Sequence, residues 1–259
     1  GSAACHVAFS SAHAAVFAAN YVDGSVMGCP VGVDGRFNGL PQTLKHSGKS
    51  IDPERQEGPH AHSVNIDPEG STLLVADLGT DSIVAYRIGE ERGRLEEIAP
   101  ARGNAIAGSG PRHMVFHPNG RVVYCLNELT STVTKYDYVP GEALDAIQTV
   151  PGLPDDFAGV STAADIHLDS AARFLYSSNR GHNSVAVFRI DDGAGLSPVG
   201  HVSTRGENPR NFALIPDSPF LLAANQDSDS IVVFRVGSDG IPVATGSAIS
   251  VPRPVCLLC

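Results

Sequence analysis

Tryptophan is absent from this chain, methionine occurs twice, and aromatic residues make up only 6% of its 259 positions. With 27 glycines and 18 prolines in their place, the sequence reads as many short strands joined by turns. No run approaches eighteen consecutive apolar residues, so no membrane-spanning segment is expected. Positive charge is scarce too: 18 Lys and Arg against 28 Asp and Glu leave a formal charge of −10. Nucleic acids and anionic membranes require a basic footprint, so neither is an expected partner. A local cluster of Arg and His inside an acidic shell would instead suit a small anion. The N-terminus shows no basic segment followed by an apolar stretch, so no secretory signal is visible. Five cysteines, an odd and scattered set, fit reduced thiols in a cytoplasmic protein better than a disulfide framework. Cys256-Leu-Leu-Cys259 has the C-x-x-C form, but residues three apart on a strand face opposite sides, so a strand end is expected there.

Sustained helical periodicity is missing as well. Length alone would allow one or two domains. What the sequence does contain is one twenty-one-residue pattern, repeated five times without an internal gap. It starts at Cys5, His62, Arg112, Ala164 and Arg210. Fifteen residues on stand Asn20, Asp77, Asn127, Asn179 and Asn225; twenty on stand Ser25, Ser82, Thr132, Ser184 and Ser230. The starts are 57, 50, 52 and 46 residues apart, so the frame is rigid while the outer loops vary.

The second repeat shows what each unit builds. His62-Ser-Val-Asn-Ile66 alternates like a half-buried strand, and Asp67-Pro-Glu-Gly70 is a turn. Thr72-Leu-Leu-Val-Ala76 is an apolar run, Asp77 to Ser82 a second turn, Ile83 to Ile88 a third strand, and Arg94 to Ile98 a fourth, outer one. Four strands per unit of about 40 to 50 residues define an all-β fold, the β-propeller. One propeller domain over 1–259 is expected, with blades near 5–57, 58–108, 109–160, 161–206 and 207–253.

The Asn/Asp and Ser/Thr positions occur in every repeat, so they read as turn scaffold. Function is expected where repeats differ. The starting position should lie near the propeller axis at one mouth, and there His62, Arg112 and Arg210 replace the Cys and Ala that serve elsewhere. Offset sixteen reads Tyr21, Leu78, Glu128, Arg180 and Gln226, placing Glu128 in the same repeat as Arg112 as its partner or as an acid-base group. Alone, each residue reads equally as a structural salt bridge or surface charge; their shared offset makes them a set. Arginine forks match phosphate, carboxylate or a developing oxyanion, and a histidine can take a proton from water near neutral pH. Hydrolysis or proton transfer on a small anionic substrate would suit such a set.

Neither a G-x-S-x-G elbow nor a phosphate-binding G-x-x-x-x-G-K-[ST] loop is present. His60, His62 and His113 have no metal-ligand spacing, so neither metal nor cofactor is expected. His117, His167 and His182 read as solvated or internally satisfied.

Gly58-Pro-His-Ala-His-Ser-Val64, Gly110-Pro-Arg-His-Met-Val-Phe-His-Pro118, Asn127-Glu128 and Asn208-Pro-Arg-Asn-Phe212 resemble the seven-bladed propeller lactonases. That family includes propeller-type 6-phosphogluconolactonases and fungal carboxy-muconate lactonising enzymes. The resemblance covers the whole chain, including the closing segment Val251 to Cys256. It implies a lactonase acting on a sugar-phosphate lactone in the pentose phosphate route, with muconate-type cyclisation, or a non-catalytic binding propeller, as alternatives. It further implies a catalytic set of His62, Arg112, Glu128 and Arg210. His62 would activate water, Arg112 and Arg210 would hold phosphate or oxyanion, and His60 and His113 would line the substrate. Seven blades are implied where about five are legible, and Gly1 to Val7 resembles the start of an internal blade. About two N-terminal blades are therefore expected to be missing, leaving open edges suited to self-association.

Overall fold

A computed structural model describes residues 1–258, with only the backbone given at 99–102. Among the described residues it contains twenty strands and no α-helix. The first sheet holds β1 (Ala4–Ser10), β2 (Ala15–Asn20), β3 (Ser25–Pro30) and β4 (Gln42–Lys45); the second holds β5 (Ala61–Ile66), β6 (Thr72–Asp77), β7 (Ser82–Ile88) and β8 (Leu95–Asn104). The third holds β9 (Pro111–Phe116), β10 (Val122–Asn127), β11 (Thr132–Asp137) and β12 (Asp145–Pro151). Next come β13 (Thr162–Leu168), β14 (Phe174–Arg180), β15 (Ser184–Ile190) and β16 (Leu196–Ser203) in the fourth. The fifth has β17 (Pro209–Leu214), β18 (Phe220–Asn225), β19 (Ser230–Val236) and β20 (Pro242–Ser250). In every sheet the strands lie antiparallel in sequence order.

The chain forms two compact units, Gly1–Asn127 with Tyr136–Ile147, and Glu128–Lys135 with Gln148–Cys259. In the first unit, Phe17 and Ala19 share a core with Val64, Leu73 and Val75, and Leu74 and Ala76 share another with Val123 and Cys125. In the second, Phe174 and Tyr176 pack with Phe212, Leu221 and Phe234. Both faces of the middle strands are covered, which is why β6 is buried throughout and reads as an apolar run. Burial also extends further than alternation suggests: Ala61, His62, Ser63 and Val64 are all buried, and only Asn65 and Ile66 are partly open. The expected half-buried strand is thus covered on both faces at its start, because a neighbouring sheet packs on each side. The strand end expected at Cys256 is not formed, since β20 closes at Ser250 and residues 251–258 run outside any strand; Cys259 lies outside the described residues.

Two details of the repeat place the side chains. At offset nineteen the backbone is left-handed in all five repeats: Gly24 (φ 60°), Asp81 (49°), Ser131 (50°), Asn183 (56°) and Asp229 (49°). That conformation closes the turn between the second and third strands, at a cost that Gly, Asn and Asp bear most easily. At offset zero the register slips in every first strand. Pairing skips Cys5, His62, Arg112 and Arg210 singly, and Ala164 together with Asp165. These are β-bulges, which release a residue from the ladder and re-aim its side chain.

Asn and Asp at offset fifteen tie one sheet to the preceding one. The Asn179 amide donates to the Gly152 carbonyl (2.6 Å) and the Asn225 amide to the Thr204 carbonyl (3.1 Å). Asp77 has no N–H to give. There His46, just after the last strand of the preceding sheet, reaches across with its own side chain, Nδ1 lying 2.5 Å from the carboxylate. Asp77 also accepts backbone N–H groups of His60, Gly79 and Thr80. Asn20 and Asn179 further donate to Ser25 and Ser184 at offset twenty, as a turn scaffold requires.

Candidate active site

In the first unit the bulges at 62 and 112 bring two buried side chains together. His62 is 4% exposed and Arg112 3%. Nη1 of Arg112 lies 2.6 Å from Nε2 of His62. On the other side of the ring, Nδ1 is 4.0 Å from Cys5 Sγ, and that thiol donates to the His62 carbonyl (3.2 Å). Tyr21 and His113 meet the His62 ring edge-on, with centroids 5.3 and 5.5 Å away. His113 also contacts His6 edge-on at 5.3 Å. His60 stacks on Tyr21 (4.5 Å, 12° between planes) and uses both ring nitrogens locally: Nδ1 donates to the Tyr21 carbonyl (2.9 Å) and Nε2 lies 3.3 Å from Glu57. The structure therefore joins His62, Arg112 and His113 in one cluster and places His60 at its border through Tyr21.

The second unit holds the other two sequence candidates. Glu128 is 3% exposed, and its Oε1 lies 3.2 Å from Nη2 of Arg180. The same Nη2 donates to the Ala163 carbonyl (2.9 Å), while the Ala163 N–H donates to the Glu128 carbonyl (3.0 Å). These three contacts form a closed loop, and Ser161 Oγ donates to the Arg180 carbonyl (2.7 Å) beside it. Arg210 is half-buried on its bulge between Pro209 and Asn211. Next to it, Asn211 and the Phe212 N–H donate to Asp165. The Asp165 carboxylate also meets Nε2 of His167 at 2.9 Å. Burial disfavours the charged imidazole, but the Asp165 carboxylate outweighs it, and the His167 pKa is raised.

Arg180 was the residue that sequence reasoning passed over. It stands in the offset-sixteen column beside Glu128, and the pairing of one repeat's acid with the next repeat's base is the signal that would have found it. His117 and His182 hydrogen-bond at turns, to the Asn119 N–H and to Ser184 Oγ, as expected of structural histidines. Cys125 is fully buried, and burial pushes its thiol up to about 12, so it is no nucleophile. Among the described residues, no three of His, Cys, Asp or Glu gather in an arrangement that would hold a metal ion.

Comparison with known proteins places this chain in a family. The sequence model described as lactonase, seven-bladed beta-propeller, matches residues 1–259. A 6-phosphogluconolactonase of Bacillus subtilis is 37% identical over 261 residues, which span 99% of this chain and 73% of that protein. Among solved structures, a putative 6-phosphogluconolactonase from Bacteroides fragilis superposes with a TM-score of 0.90 at 34% identity, covering 98% of this chain and 72% of its own. The periplasmic gluconolactonase of Pseudomonas aeruginosa gives a TM-score of 0.90 at 34% identity, covering 97% and 71%. The five sheets are blades of a β-propeller, and the chain belongs to the family of seven-bladed β-propeller lactonases.

Proposed function

We propose that this protein, as a single propeller domain, is a lactonase that hydrolyses 6-phospho-D-glucono-1,5-lactone to 6-phosphogluconate. The observation that carries this reading is the buried Arg112, released from its strand by a bulge and fixed by His62. A guanidinium at that depth offers a phosphorylated or carboxylated substrate a planar fork that is permanently charged. Similarity to 6-phosphogluconolactonases over nearly the whole chain supports the same choice.

Four residues take roles. Arg112 and Arg210 hold the phosphate and the oxyanion that forms as water adds to the lactone carbonyl. Glu128, paired with Arg180, takes the proton of that water in this reading and passes it to the ring oxygen as the carbon–oxygen bond breaks. His62 serves Arg112. The cytoplasm fits a phosphorylated substrate and the free thiols of Cys5, Cys29, Cys125 and Cys256.

The test is hydrolysis of 6-phosphogluconolactone by purified protein, with the spontaneous rate subtracted. A rate no faster than background overturns the reading. The likeness to a gluconolactonase gives one competitor, an unphosphorylated sugar lactone, and equal kcat/KM on both lactones would favour it.

A further inference from the structure

A hydrogen bond between arginine and histidine is chemically one-sided. The guanidinium has five N–H donors, no acceptor, and keeps its proton at any working pH. At 2.6 Å, Arg112 Nη1 must be the donor and His62 Nε2 the acceptor. Nε2 therefore carries no proton, and a neutral imidazole in that state carries its single N–H on Nδ1. The surroundings agree: Nδ1 points to a sulfur at 4.0 Å, and ring edges from Tyr21 and His113 pack against the imidazole. Protonating Nε2 would set two cations at hydrogen-bond distance between side chains that are 4% and 3% exposed, which Coulomb repulsion opposes.

We infer that His62 is the positioning residue for Arg112, and not the base that takes a proton from water. The lone pair a base needs is the one already given to the guanidinium. His62 supplies direction. A neutral ring accepts the N–H and brings no opposite charge of its own, so this contact orients the fork toward a phosphate oxygen or oxyanion. A carboxylate in the same place would hold the arginine equally well and cancel it.

The experiment has two arms, and only the second rests on the lactonase reading. In the first, the protein is labelled with ¹⁵N-histidine and the His62 tautomer is read by NMR between about pH 6 and 8, the range where free histidine titrates. A neutral ring with its proton on Nδ1 is expected throughout; an imidazolium, or a proton on Nε2, overturns the inference. This arm uses the wild-type protein and no substrate, so it decides the matter even if the chain proves inactive or the variants fail to fold. In the second arm, lactone hydrolysis is compared for His62→Gln and His62→Ala. The Gln carbonyl can accept from Arg112 but cannot act as a base at neutral pH. His62→Gln should keep kcat within about tenfold of wild type, while His62→Ala should lose on the order of 10²-fold as Arg112 drifts. The acid limb of the pH profile should be the same in wild type and His62→Gln. A folded His62→Gln as inactive as His62→Ala, or an acid limb abolished by His62→Gln, would show that His62 is the base.

Discussion

Histidine plays opposite parts in the two units. In the first, His62 faces the guanidinium of Arg112 and must stay neutral to accept its N–H. In the second, His167 faces the carboxylate of Asp165, which favours the charged ring. The same residue type, on the first strands of two different repeats, takes its protonation state from the sign of its partner. The arginines divide in the same way. The contact of His62 with Arg112 is a hydrogen bond from a cation to a neutral ring, whereas that of Glu128 with Arg180 is an ion pair. A histidine partner suits an arginine that must meet an anion, and a carboxylate partner suits one that must steady an acid.

Breaking the first arrangement should cost the most. Arg112→Ala is expected to lower kcat on 6-phosphogluconolactone by about 10³-fold, the scale of losing an oxyanion donor. Arg112→Lys sharpens the point. A single ammonium cannot both donate to His62 and present a fork, so activity should stay at least about tenfold down. In the second arrangement the larger loss should be in stability. Arg180→Ala removes an ion-pair partner from a carboxylate that is 3% exposed, and should cost about 3 kcal/mol in denaturant unfolding. The double change Arg180→Ala with Glu128→Gln should recover part of that loss; no recovery would mean that Arg180 matters for packing and not for charge.

The smallest effect concerns His167. Its folded pKa is raised above the unfolded value, so its stabilisation is present in full below the unfolded pKa of about 6.5 and fades as pH rises through the folded value. His167→Gln should therefore destabilise the protein more under mildly acidic than alkaline conditions. Because the ring is 39% exposed, the difference should be only a few tenths of a kcal/mol, roughly 0.3, and an effect growing with pH would refute the assignment.

The strand frame is legible in the sequence because one spacing recurs without gaps, and the five sheets fall on the five repeats. The left-handed position at offset nineteen is not, since Gly24, Asp81, Ser131, Asn183 and Asp229 share a conformation and no single residue type. Much the same holds at offset zero. Sequence singles out His62, Arg112 and Arg210 by comparison among repeats, yet the bulge that frees them is a property of pairing and leaves no residue signature. Distance in sequence hides Arg180, which is 52 residues from Glu128 and meets it only in the folded chain. Burial of both faces at Ala61 to Val64 hides for a related reason: a polar Ser63 mimics an outward position while a neighbouring sheet covers it.

The contact between His46 and Asp77 bears on how such repeats can be exchanged. Where the tie is an Asn amide to a backbone carbonyl, as at Asn179 and Asn225, every amino acid offers the carbonyl, and the preceding position is free to vary. Where it is a carboxylate to an imidazole, two positions 31 apart must be inherited together. A second repeat borrowed from later in the chain would bring an Asn to face His46, and a first repeat borrowed likewise would bring a bare carbonyl to face Asp77. The five repeats share one shape, but at this joint they are not interchangeable parts.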